Sequence, residues 1–300
     1  MNIGIIGGGA IGLLFATYLG RHHDVTVYCR SKDQAERLNE QNASLLKDNV
    51  KQPVKLHGSS DKHYHNHQIF IVAVKQYHLP QMMDALHQIP THIPLLFLQN
   101  GIGHIPYIET LPHQSIWLGT VEHGALKLDA TTVKHTGAGI TKVAVFKGNK
   151  ELLHSHIHDL EQAQFPFSIF EDYKEIIYQK LAINASINPL TAILKVKNGQ
   201  LISNPFYFEL LKKVCQEVCL VLSFSDVSHT FNQVIKICEN TKDNTSSMLK
   251  DIQLQQRTEI DAIVGALIQK GMEKNKETPI LNFLYHAVKG LEKEVGVSVE

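Results

Sequence analysis

The stretch Asn2-Ile3-Gly4-Ile5-Ile6-Gly7-Gly8-Gly9-Ala10-Ile11-Gly12 decides the fold of this 300-residue chain. Ile3, Ile5 and Ile6 make a short apolar strand that runs straight into Gly7-x-Gly9-x-x-Gly12, and Leu13 to Leu19 then opens an apolar helix. In such a turn the first glycine permits a tight bend, the second lets the backbone approach a pyrophosphate, and the third lets the helix pack on its strand. The helix N-terminus adds free N–H groups and the positive end of a dipole. A dinucleotide site is therefore predicted at Gly7, Gly8, Gly9, Ala10, Ile11 and Gly12. A structural turn would use the same glycines, but the strand before and the helix after favour the nucleotide.

Working outward, the next strand, Val25-Thr26-Val27-Tyr28-Cys29, ends at Arg30, 18 residues after Gly12. An NAD-binding chain usually places an acid there for the ribose 2′-OH; the planar guanidinium of Arg30 suits a 2′-phosphate instead, with Lys32 as a second cation. NADPH/NADP+ is the predicted coenzyme. The alternative is that Arg30 is an ordinary solvated residue after a strand. The runs Gln68 to Val74 and Pro94 to Leu98 are near-continuously apolar, as parallel strands covered on both faces require. Further strands are predicted at 116–121, 142–146 and 167–170, with Gly137-Ala138-Gly139 as a turn. The predicted fold is α/β, a Rossmann-type doubly wound sheet, over residues 1–171. After that the texture turns helical, in 176–187, 206–222 and 248–270, giving an all-helical second domain over 172–300.

Twenty-nine Lys+Arg balance 29 Asp+Glu, so no global field points to nucleic acid or to a membrane surface, and a small partner is expected. The opening residues carry no basic n-region or cleavage site, and no apolar run approaches a membrane span, which predicts a cytoplasmic protein. Cys29, Cys215, Cys219 and Cys238 form no CxxC pair and read as reduced core residues. The 18 histidines cluster at His63-x-His65-x-His67 and His154-x-His156-x-His158. Neither cluster comes with a cysteine or a carboxylate set, so no metal is expected and solvated surface imidazoles are predicted.

Two strand ends of the first domain carry polar residues: Lys75 after Val74, and Gln99-Asn100-Gly101-Ile102-Gly103 after Leu98. Ligands of open α/β sheets bind at such ends. Lys75 could reach an adenosine phosphate and Asn100 could line the nicotinamide end, although Asn-Gly is equally a turn dipeptide. In the second domain Lys180, Asn184 and Asn188 lie four apart, on one face of a helix otherwise flanked by apolar residues. Buried without partners, each would cost about 1–3 kcal/mol. A polar substrate would supply partners; a structural network would also do so. Pro189 is expected to end or kink this helix, leaving Asn188 near its terminus. Ser246 and Ser247 are placed to cap a helix or bind an anion at its start.

These segments together resemble the ketopantoate reductase (2-dehydropantoate 2-reductase) family, essentially end to end. The resemblance is carried by Gly7 to Gly12, Gln99-Asn100-Gly101, the Lys180-to-Thr191 stretch, Ser246-Ser247-Met248-Leu249-Lys250-Asp251, Arg257-Thr258-Glu259-Ile260-Asp261 and Thr278-Pro279. It implies an NADPH-binding Rossmann domain and a helical domain similar to those of 6-phosphogluconate dehydrogenases. The implied reaction is reduction of 2-dehydropantoate to (R)-pantoate in pantothenate biosynthesis, in a monomer or homodimer. By motif position Lys180 would be the general acid, Glu259 the carboxylate that assists it and the substrate and contacts the coenzyme, and Ser247 the holder of the substrate carboxylate. Asn100, Asn184 and Asn188 would orient substrate or nicotinamide, and Arg30 and Lys75 would contact NADPH.

The chemistry asks for the same groups. Hydride delivery to a 2-oxo acid builds negative charge on the carbonyl oxygen, and a lysine can both stabilise it and donate a proton. Its reference pKa of about 10.4 keeps it charged, and a nearby carboxylate favours that form. Reduction of another 2-oxo or 3-hydroxy acid, or a non-catalytic NADP(H) sensor, would keep the fold and coenzyme; the sensor gives no reason for Lys180 and Glu259. One difficulty stands: on a single straight helix Ser247 and Glu259 would be about 18 Å apart, too far to touch one six-carbon acid.

Overall fold

The computed structural model describes residues 1–61, 64, 67–161 and 165–297. They form two compact units, Met1–Gln99 with Ile105–Ile176, and Asn100–His104 with Ile177–Glu300.

The first unit begins with β1 (Asn2–Ile6), α1 (Ala10–Leu19), β2 (Asp24–Tyr28), α2 (Lys32–Gln41), β3 (Ala43–Lys47), β4 (Val50–Val54), β5 (His57–Ser59) and β6 (Ile69–Val72). It continues through α3 (Met83–His87), β7 (Leu95–Phe97), α4 (Ile105–Glu109), β8 (Ile116–Val121), β9 (Gly124–Lys127), β10 (Thr132–Gly137), β11 (Thr141–Lys147), α5 (Lys150–Glu161) and β12 (Phe167–Phe170). The main sheet runs β12-β11-β8-β7-β6-β1-β2-β5. Its parallel strands β5-β2-β1-β6-β7-β8 follow the dinucleotide-binding order, so the strand order reverses between β1 and β6, where such sheets hold ligands. Strand β11 is added antiparallel to β8. Strands β6 and β7 are buried throughout, which explains their unbroken apolar runs. A second, four-stranded sheet, β4-β3-β10-β9, was not apparent from sequence. Its strands are short and mixed in polarity, Pro53 among them, so alternation is weak.

The second unit is helical: α6 (Tyr173–Leu194, whose first turn belongs to the first unit), α7 (Gln200–Ser203), α8 (Pro205–Leu222), α9 (Val227–Asn240) and α10 (Ser247–Gln253) come first. A π-helical turn, Asp261–Gly265, leads into α11 (Ala266–Glu273), and α12 (Pro279–Glu294) closes the unit. Caps mark the helix starts: Asn204 accepts from the amides of Phe206 and Tyr207, and Asp226 from that of His229. No helix among the described residues is long and apolar enough to cross a membrane.

Three expectations are corrected. Helix α6 does not end at Pro189 but continues to Leu194, so Asn188 is not terminal. A mid-helix proline costs about 3 kcal/mol, and burial of Ile187 and Leu190 alone returns about 1.5–3 kcal/mol each. The predicted helix over 248–270 is broken after Gln253. There Gln255 turns left-handed (φ 55°), while its amide reaches Ile252 O and that of Gln256 reaches Asp251 O, a Schellman stop. Finally, the histidines are not all solvated. His67 is buried, bonded to the Tyr28 hydroxyl (2.9 Å) and the Asn2 carboxamide (2.7 Å), and His104, His113 and His123 are buried as well. His63 and His65 lie outside the described residues. His154 and His158 are exposed, His156 half-buried, and among the described residues no three His, Cys, Asp or Glu gather as a metal site. All four cysteines are buried and free.

Candidate active site

In the first unit the glycine loop is built by close contacts. Gly7 has φ +115°, and a Cβ there would lie 2.9 Å from Val74 Cγ1; a Cβ on Gly12 would lie 1.8 Å from the Gly7 carbonyl oxygen. No other residue lets α1 start so close to β1. Gly9 differs: a Cβ there would meet nothing within 4 Å, and Gly9 caps α1 without any side-chain hydrogen bond. Open space against an uncapped helix N-terminus is what a pyrophosphate requires, so the residues present fit a dinucleotide.

Two residues that sequence reading missed shape this loop. Gln34 of α2, buried, donates to the Gly8 carbonyl (2.8 Å) and to the Ala130 carbonyl (2.9 Å), and the Lys127 ammonium also donates to Gly8 O (2.9 Å). Partial burial of that ammonium pulls its pKa down, against the pull of Cys29 and Asp129. Lys127 stands at the end of β9, a strand with no sequence signature, so only the folded sheet reveals it. Arg30 is exposed just ahead of Ser31, which caps α2, and its guanidinium lies 3.4 Å from His78 Nε2. Lys32 is turned to solvent in a pair with Glu36 (3.5 Å). Lys75, half-buried, precedes the turn Gln76–His78 at the end of β6. Gln99 ties the ends of β6 and β7, donating to Val72 O and Val74 O at 3.0 Å each.

The second unit gathers the other candidates. Helix α6 displays Lys180 and Asn184, both half-buried, and Asn188, buried. Asn188 donates to Ser247 Oγ at 3.5 Å. The start of α10 is pinned by Ser246, whose hydroxyl accepts from Leu249 N–H (3.1 Å) and from the Thr191 hydroxyl of α6 (2.7 Å). Because α10 stops at Gln253, Glu259 does not continue its axis, and the straight-helix premise does not apply to Ser247 and Glu259.

Glu259, buried, accepts from the Asn100 carboxamide at 2.9 Å. Gly101 makes this possible. Its φ is +77°, and a Cβ there would lie 2.1 Å from Ala262 O, while Ile102 N–H donates to that same carbonyl (3.2 Å). The Ala262 carbonyl of the π turn thus holds the Asn100-to-Ile102 segment within the second unit. Beside it Asp261 accepts from Tyr285 (2.8 Å) and Arg257 (3.2 Å), with Lys289 at 3.5 Å. Burial pushes the Asp261 pKa up, but the Tyr285 hydrogen bond and the charges of Lys289 and Arg257 hold it below the ordinary carboxylate value.

A sheet of dinucleotide-binding order with an open glycine loop, together with a helical unit carrying a lysine, carboxamides and a buried carboxylate, defines a nicotinamide-dependent oxidoreductase of two-unit architecture. Comparison with known proteins gives the family. The chain belongs to the ketopantoate reductases: residues 3–148 match the family model "Ketopantoate reductase PanE/ApbA" and residues 172–292 match "Ketopantoate reductase PanE/ApbA C terminal". This is a family of NADP-dependent oxidoreductases. A 2-dehydropantoate 2-reductase of Listeria innocua is 39% identical over 98% of each chain. The crystal structure of a probable 2-dehydropantoate 2-reductase panE from Bacillus subtilis is 37% identical, covers 97% of this chain and 100% of that one, and has a TM-score of 0.88. A D-mandelate dehydrogenase ternary structure with NADH and anilino(oxo)acetate shares the fold, with a TM-score of 0.92 at 23% identity over 99% of this chain and 100% of that one.

Proposed function

We propose that this protein reduces 2-dehydropantoate to (R)-pantoate with NADPH in preference to NADH, using Lys180 as general acid. The observation that carries the reading is the Asn100–Glu259 hydrogen bond of 2.9 Å, formed in the unit that also displays Lys180, Asn184, Asn188 and Ser247. NADPH, when bound, supplies the hydride. Gly7 to Gly12 hold its pyrophosphate, and Arg30 and Lys75 hold its adenosine phosphate. Lys180 stabilises the charge that grows on the C2 carbonyl oxygen and delivers its proton there, leaving a neutral amine that solvent reprotonates. Glu259 favours the charged lysine and, with Asn100, orients the reacting groups. Ser247 binds the substrate carboxylate at the start of α10, where helix N–H groups add to it, and Asn184 and Asn188 orient the remaining oxygens. The enzyme works in the cytoplasm as a monomer or homodimer on this small 2-oxo acid.

The test is NADPH absorbance followed with ketopantoate, with a panel of other 2-oxo acids and with no substrate. Oxidation fastest with ketopantoate is expected. Turnover restricted to a different acid would replace the substrate, and none with any acid would remove the enzymatic reading.

A further inference from the structure

Glu292 is fully buried, and it sits in the last turn of α12, where the helix dipole disfavours negative charge. Burial of a carboxylate also costs several kcal/mol unless it is well paired. Neither fact recommends it as a helix-stabilising residue, so its partners explain its presence. One carboxylate oxygen accepts two hydrogen bonds from Thr258, from the amide and from the hydroxyl, both 2.7 Å. The other oxygen faces the Lys289 ammonium at 3.1 Å.

Thr258 in turn locks its neighbours. Its hydroxyl oxygen, while donating to Glu292, accepts from Ile260 N–H at 3.2 Å. The residue before Glu259 and the residue after it are thereby fixed by one buried hydroxyl, in a segment that belongs to no regular helix up to Glu259. Tyr285, Lys289 and Glu292 fall on one face of α12, and together they hold Asp261 and Thr258 on either side of Glu259. The carboxylate of Glu259 then meets Asn100 at 2.9 Å.

We propose that Glu292 is a positioning residue, which through Thr258 fixes the backbone on both sides of Glu259 and so aims the Glu259 carboxylate. The proposal rests on the catalytic role given above to Glu259. A carboxylate held by two short bonds from one residue transmits its position stiffly, and a displacement of about 1 Å in a reacting group can cost about a hundredfold in rate.

The test uses the full chain with Thr258→Val, which keeps the shape and the amide but removes the hydroxyl, Thr258→Ser, which restores it, and Glu292→Gln, which keeps an accepting oxygen without charge. Each is made alone and with Glu259→Gln, and kcat and KM for ketopantoate, NADPH binding by fluorescence and thermal unfolding are measured. Thr258→Val is expected to lower kcat about tenfold or more with NADPH binding unchanged, Thr258→Ser to recover most of it, and Glu292→Gln to fall between. With Glu259→Gln already present, Thr258→Val is expected to lower kcat no further. Equal losses in both backgrounds, or wild-type kcat in Thr258→Val that still binds NADPH, would overturn the positioning role. If Thr258→Val does not fold, Glu292→Gln decides on the same comparison, and a wild-type kcat in that variant overturns it. Wild-type kcat for Glu259→Gln alone removes the role of Glu259 itself, a separate result read from a separate variant.

Discussion

Asn100 and Glu259, 159 positions apart in sequence, are joined by a 2.9 Å hydrogen bond in which the carboxamide donates and the carboxylate accepts. The bond needs Gly101, because any side chain there would strike the Ala262 carbonyl.

Asn100→Asp sets a second acceptor against the Glu259 carboxylate, and Asn100→Ala leaves that carboxylate without its donor. Both should lower kcat/KM for ketopantoate, Asn100→Asp by more because two acceptors then face each other. Steady-state kinetics of the two variants beside wild type are the check; wild-type kcat/KM in both would show that the Asn100–Glu259 bond plays no part in the reaction.

Arg30→Ala should weaken NADPH binding by about tenfold to a hundredfold, the worth of a hydrogen bond to a charged group, and leave NADH binding nearly as it was. Fluorescence titrations at low and high salt measure this, and the NADPH loss should shrink as salt rises. Equal losses for both coenzymes would take the 2′-phosphate away from Arg30.

Lys180→Ala should slow hydride transfer by about 10²–10⁴-fold, the range for a positioned proton donor, with coenzyme affinity preserved. On the proposed mechanism Lys180 and Glu259 act on one transition state, so the double variant with Glu259→Ala should lose less than the two single losses combined. Single-turnover NADPH oxidation in the four proteins reads both. Strict additivity would separate Glu259 from the lysine.

Burial lowers the pKa of His104, His113 and His123 to about 4 each; neighbouring His87 and Lys147 add to this at His113, and His135 at His123. In the unfolded chain each protonates near its ordinary value of about 6.5. Between these values the unfolded state binds more protons, so stability is complete above pH 6.5 and falls as pH drops toward 4, by about 1.4 kcal/mol per pH unit for each proton taken up. Urea midpoints from pH 7.5 to 4 should trace that slope. His104→Leu should make it shallower, since neither ring nitrogen of His104 has a hydrogen-bond partner among the described residues and its loss costs little at neutral pH. An unchanged slope in His104→Leu would mean that His104 is not among the groups taking up protons.

The parts of this protein that local sequence determined are those whose physics is local. The glycine loop between β1 and α1 was legible because glycine alone tolerates the contacts found at Gly7 and Gly12, and β6 and β7 read as buried strands because both of their faces are covered. The four-apart spacing of Lys180, Asn184 and Asn188 places them on one helix face, since helical period is a property of the backbone. Tertiary structure alone decided what depends on residues distant in the chain. Helix α6 passes through Pro189 because burial outweighs one lost hydrogen bond. Lys127 reaches the Gly8 carbonyl from a strand too short and polar to announce itself, and His67 is buried by a sheet formed elsewhere. Glu292 looks like any surface glutamate near a helix end until α12 is seen to bury it against Thr258, because the contact that defines it spans 34 positions and no local pattern encodes such a distance.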